Sequence, residues 1–78
     1  MNDEMRKDLS RYGWVMETLD WQGKFHWIIH PREGKPLRST ADSIVKELTA
    51  KYPGYHFFRG ELHEGLTIHT IINIYKNN

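Results

Sequence analysis

The chain has 78 residues, of which 38% are hydrophobic and 27% charged, a globular composition without disordered bias. That length supports one small domain, which buries only about 60% of its unfolded surface. Lys and Arg outnumber Asp and Glu by only one, so no bulk charge favours nucleic acid, and the absence of cysteine excludes disulfides, thiol catalysis and cysteine-ligated zinc.

No apolar run approaches the roughly 20 residues of a membrane span. The polar start Met1–Asp8 lacks the apolar stretch of a signal peptide, so the expected setting is the cytoplasm, with no membrane partner.

The first segment reads as a short helix. Asn2 or Asp3 can cap it, Asp3 and Glu4 suit the positive end of its dipole, and Gly13 ends it. Met5, Leu9 and Tyr12 recur at helical spacing and give one narrow apolar stripe.

A hairpin follows. Asp20-Trp21-Gln22-Gly23 fits a type I turn with glycine in the left-handed position, which sets Leu19 opposite Phe25, Glu17 opposite Trp27 and Val15 opposite Ile29. These odd positions read as the core face, with Glu17 the one misfit. Trp14, Met16, Thr18, His26, Ile28 and His30 make a mixed second face.

Pro31 to Arg38 reads as a loop in which a short third strand around Lys35–Arg38 is weakly signalled. The second helix has the strongest local pattern. Ser39 or Thr40 caps it, Ala41, Ile44, Val45, Leu48 and Tyr52 form its stripe, and Asp42–Lys46 and Glu47–Lys51 are candidate ion pairs on its wet side. Pro53-Gly54 stops it.

The closing hairpin pairs Tyr55–Leu62 with Leu66–Tyr75 through His63-Glu64-Gly65. In that register Leu66, Ile68, Ile72 and Ile74 share the core face with Phe58 and Leu62. Tyr55, Phe57, Arg59, His69, Ile71 and Tyr75 face away from it. The expected fold is therefore α+β and two-layered, in the order αββαββ, with a four-stranded and mainly antiparallel sheet. The halves also resemble one another: His26-Trp27-Ile28-Ile29 answers His69-Thr70-Ile71-Ile72, each after a turn glycine, as in a helix–strand–strand unit used twice.

Five histidines invite a metal reading. His26 and His30 on one strand stand about 13 Å apart at roughly 3.3 Å per residue, too far to share an ion. A site would need separate strands to converge, so neither metal nor cofactor is expected. Ser10, Ser39, Thr40 and Ser43 have capping or solvent roles, and Gly34–Thr40 has the letters of a phosphate loop without its spacing. Arg32, Lys35 and Arg38 remain as an anion or nucleic-acid contact.

The feature that stands out is the second face of the sheet. Trp14, Met16, Ile28, Tyr55, Phe57, Ile71 and Tyr75 would lie there with His26, His30, His69 and Arg59, a patch larger than a monomer usually leaves bare. The first helix could lie across it, a protein partner or a second copy could dock on it, or bases could stack on its aromatics.

Residues 5–45 also resemble the HicA toxin family. The features carrying the likeness are a short helix ending at Gly13-Trp14, Gly23 followed by His26, His30-Pro31, Gly34, and a helix opening at Thr40. The family's catalytic histidine lies two residues after the glycine, where this chain has Phe25, with His26 one position later. The resemblance implies a small RNA-cleaving protein with a double-stranded-RNA-binding-like fold, His26 as general base, and Arg32, Lys35 and Arg38 on phosphates. The residues themselves favour a non-enzymatic binding module or inhibitor of a protein partner, of the kind phages and mobile elements encode. Trp14, Met16, Ile28, Tyr55, Phe57 and Tyr75 would be its anchors, and His26, His69 and Arg59 its polar specifiers.

Overall fold

A computed structural model describes residues 1–77. The chain runs α1 (Asp3–Leu9), β1 (Trp14–Leu19), β2 (Phe25–His30), α2 (Ala41–Lys51), β3 (Tyr55–Glu64) and β4 (Thr67–Lys76). All strand pairs are antiparallel, in the order β1-β2-β4-β3. The expected α+β class and αββαββ order are both present. The two hairpins join through their second strands, and Ile29 of β2 pairs with Ile72 of β4, so the matching His-x-Ile-Ile stretches meet only at their last residues.

Local chemistry explains each element. The Asn2 side chain caps α1 by accepting from the Met5 N–H at 2.8 Å. The Asp20 carboxylate accepts from the N–H groups of Gln22 and Lys24, each at 2.9 Å, and Gly23 turns the chain at φ 80°. This turn fixes the expected pairing of Leu19 with Phe25, Glu17 with Trp27 and Val15 with Ile29. In α2, Thr40 occupies the N-cap without a side-chain bond to the helix. The weakly signalled strand at Lys35–Arg38 is absent: Arg32 and Lys35 close a tight turn instead, with Gly34 at φ 76°.

The second hairpin departs from the sequence reading in one decisive respect. Glu64 pairs with Thr67, so the connection is the two-residue Gly65-Leu66, with Gly65 at φ 60°. A loop one residue shorter than expected exchanges the faces of β3 relative to β4. Phe57 now lies opposite Ile74 and Arg59 opposite Ile72, on the helix side, whereas Phe58 lies opposite Asn73 and Leu62 opposite His69 on the other.

Both helices cover one face. Met5 and Leu9 of α1 join Ile29, Leu37, Ala41, Ile44, Leu48, Phe57, Ile72 and Ile74 in a single core, flanked by Tyr12, Val15, Trp27, Val45, Tyr52 and Tyr55. Full burial of each large aliphatic or aromatic side chain contributes about 1.5–3 kcal/mol. The first helix therefore does not lie across the second face; its stripe is used beside α2.

The helices are clipped together by Asp8. Its carboxylate accepts from the Lys51 ammonium at 2.7 Å and from the Tyr52 hydroxyl at 2.6 Å. Lys51 thus turns to α1 rather than to Glu47, and Asp42 meets Arg59 at 3.5 Å rather than Lys46. The Lys51 bond, then the Tyr52 bond, hold the Asp8 carboxyl below its ordinary value of 3.8. A depressed carboxylate stabilises the fold above its unfolded value, and that contribution is lost as pH falls through the folded one. Asp8→Asn is expected to cost about 1 kcal/mol at neutral pH. Urea midpoints should show the variant less sensitive than the parent to acidification between about pH 5 and pH 2.

Candidate functional site

The helix-free face is built from the even positions of β1, β2 and β3 and the odd positions of β4. Its middle is dry even without a helix above it: Ile28 and Ile71 are buried, and His26 is only 6% exposed. The His26 ring stacks on Tyr75 at 4.3 Å between centroids and 3° between planes, and Tyr75 stacks in turn on Phe58 at 5.8 Å. His56 extends the row beside Phe58.

Hydrogen bonds lock this row. The His26 Nε2–H donates to Asn73 Oδ1 at 3.1 Å, which leaves Nδ1 buried and without a partner among the described residues. The Asn73 amide lies over Gly60, where a Cβ would come within 2.2 Å of it, so glycine in β3 provides the room. At the other end the Tyr75 hydroxyl donates to Asp20 Oδ2 at 3.1 Å, and the Lys24 ammonium sits 5.7 Å from the Tyr75 ring centre. Burial, then the Asp20 bond, raises the Tyr75 hydroxyl above its ordinary value. Hydrogen bonds, chiefly from the Lys24 backbone, lower Asp20.

Of the side chains assigned to this face from sequence, Trp14, Met16, His26, Ile28, His69 and Tyr75 are on it. Tyr55, Phe57 and Arg59 are not: the shorter hairpin loop turns all three to the helix side, where Phe57 is 3% exposed. Their places are taken by His56, Phe58 and Leu62, which sequence reasoning had assigned to the core or left out. Both sets alternate along one strand and are similarly apolar, so only the loop length could have separated them. The outward groups are Trp14 at 55% exposure, Met16 at 47% and Phe58 at 37%.

The loop at the end of this face is partly tied down. The Arg32 guanidinium donates to the Ser10 carbonyl at 2.6 Å and lies 4.5 Å from the Trp14 ring centre, fixing that indole. Lys35 and Arg38 are exposed and make no side-chain hydrogen bond or ion pair among the described residues. A groove of about 740 Å³ runs between this loop and β4, lined by Trp14, His30, Arg32, Arg38, Ile68 and His69.

Three ligand-type side chains from three strands also meet here. His30 Nε2 is 2.7 Å from Glu64 Oε1, and His69 Nε2 is 3.8 Å from the same oxygen. The condition set from sequence for any metal site, convergence of separate strands, is satisfied. Glu64 is the participant that sequence reasoning placed in a turn.

Comparison of the chain with protein-family models, with curated proteins and with solved structures finds no match. Among the described residues, no helix is long and apolar enough to cross a membrane.

Proposed function

We propose that this domain is a binding module that docks a protein partner through the helix-free face of its sheet, as a small regulator or inhibitor would. The observation that carries this reading is the placement of both helices on the opposite face. That arrangement leaves Trp14, Met16 and Phe58 exposed on a surface already stiffened by the His26–Tyr75–Phe58 stack. Rigid aromatic groups held in place before contact lose little entropy on binding, which suits them as anchors. The exposed Lys35 and Arg38 at one end match a partner surface whose apolar centre has an acidic rim.

Three observations favour protein over RNA. The formal charge is only +1, and Arg32 is already committed to Ser10 and Trp14. His26, the general base implied by the toxin resemblance, is buried, with Nε2 held by Asn73, whereas a base must reach the proton it removes.

The test is capture from host lysate with and without nuclease, followed by affinity measurement with the purified partner. Trp14→Ala and Phe58→Ala should each weaken binding about tenfold or more while lowering the urea midpoint far less than a core truncation does, and added salt should matter little. Recovery of RNA alone, or RNA cleavage abolished by His26→Ala, would overturn the proposal. A sedimentation profile showing a dimer broken by Phe58→Ala would redirect it to self-association.

A further inference from the structure

We propose that His30, Glu64 and His69 form a binding site for a divalent transition-metal ion, with Zn2+ the best match. The three side chains lie at one end of the helix-free face, but the inference does not depend on that face docking a partner. The three ligand atoms all lie within 4.8 Å of one another. Donors placed tetrahedrally around zinc at roughly 2.0–2.2 Å stand about 3.3–3.6 Å apart. The two distances to Glu64 Oε1, 2.7 and 3.8 Å, straddle that spacing, so small side-chain rotations admit an ion.

The hydrogen bonding of His30 gives a second and independent reason. Its Nδ1 lies 2.8 Å from the Pro31 carbonyl oxygen, which can only accept, so the proton is on Nδ1. A neutral ring then points the Nε2 lone pair at a carboxylate oxygen 2.7 Å away. Two acceptors at that distance need positive charge between them. His69 Nε2 turns toward the same oxygen from a third strand, at 3.8 Å. A metal ion accounts for all three side chains. The Nδ1–H to carbonyl bond is also the support that metal-bound histidines commonly have, fixing both tautomer and ring orientation.

The donor set selects the ion. Two imidazoles and one carboxylate suit zinc and its neighbours, and are poor ligands for calcium or magnesium. Three protein ligands leave the fourth position to water or to a group entering from the groove beside Trp14 and Arg38. His30, His69 and Glu64 are each partly exposed, so an ion can enter without unfolding. Because the ligands come from β2, β3 and β4, the paired sheet holds them ready before the ion arrives.

Titration of the chelator-treated full chain with Zn2+ by calorimetry, at neutral pH, tests the site. One equivalent should bind, and Glu64→Gln and His69→Ala should each weaken binding about tenfold or more. His56→Ala and His63→Ala, which alter histidines outside the cluster, should leave it unchanged. Glu64 is exposed and its glutamine variant keeps the side chain's shape, so a correctly folded control is assured by circular dichroism. Co2+ should give the intense visible absorption of a tetrahedral complex. Failure of the parent to bind Zn2+, an aquo-like Co2+ spectrum, or binding that survives Glu64→Gln and His69→Ala would each overturn the assignment.

Discussion

Phe57→Ala should cost about 3–5 kcal/mol of stability, whereas Phe58→Ala, one residue along the same strand, should cost about 1 kcal/mol or less. Phe57 sits in the core with Ile74 across the ladder and the rings of Tyr52 and Tyr55 beside it. Truncation there leaves a cavity that the sheet cannot collapse to fill. Phe58 has solvent on one side and Tyr75 on the other, so its removal sacrifices one stacked pair and little burial. A domain of this length is stable by roughly 4–12 kcal/mol at usual per-residue values, so the first substitution removes a large share of the total. Urea unfolding should therefore show a strongly lowered midpoint for Phe57→Ala alone. The reverse ranking would mean that the hairpin closes with a three-residue loop and that the faces of β3 are exchanged.

Gly13→Ala should be the other costly change, at about 2–3 kcal/mol. Gly13 is buried immediately before β1, and a Cβ there would stand 2.3 Å from the carbonyl oxygen of His30. The obstacle is backbone at the end of β2, so rotamer adjustment gives no relief and the two strands must part. His30 is displaced in the process, and with it the approach to Glu64 and His69. Thermal unfolding should report the lost stability, and the histidine ring signals in an NMR spectrum should report the displaced His30. A melting temperature within a degree or two of the parent's would show that β1 and β2 are not held this closely.

Both outcomes follow from tertiary placement, and they separate what the sequence made legible from what it did not. The register of the first hairpin could be read because Asp20 and Gly23 specify one turn that pairs Val15 with Ile29, although Leu19 and Phe25, expected in the core beside that turn, are exposed. The α2 stripe was equally plain, since Ala41, Ile44 and Leu48 recur at helical spacing and are all buried. The second hairpin was not, because β3 is apolar on both faces: Tyr55 and Phe57 alternate with Phe58 and Leu62. The side-chain period along a strand is two, so a change of one residue in the loop reassigns every position at once.

The candidate site was half visible for the same reason. Trp14, Met16 and Tyr75 could be placed on the helix-free face because the alternation of β1, β2 and β4 was legible, although Leu66, expected in the core, lies in the turn and Ile68, also expected there, is 56% exposed. His56, Phe58 and Leu62 could not, and the meeting of His30, Glu64 and His69 has no signature in the linear order of residues.

By itself, then, the sequence determined the six elements, the α+β class and the pairing of the first hairpin, since caps, turns and apolar periods act between residues a few positions apart. Only the tertiary structure decided which face of β3 is inside, that α1 lies beside α2 rather than across the second face, and which side chains converge at the end of β2. Those outcomes depend on loop closure and on competition for one small core, where residues far apart in the chain contend for the same buried volume.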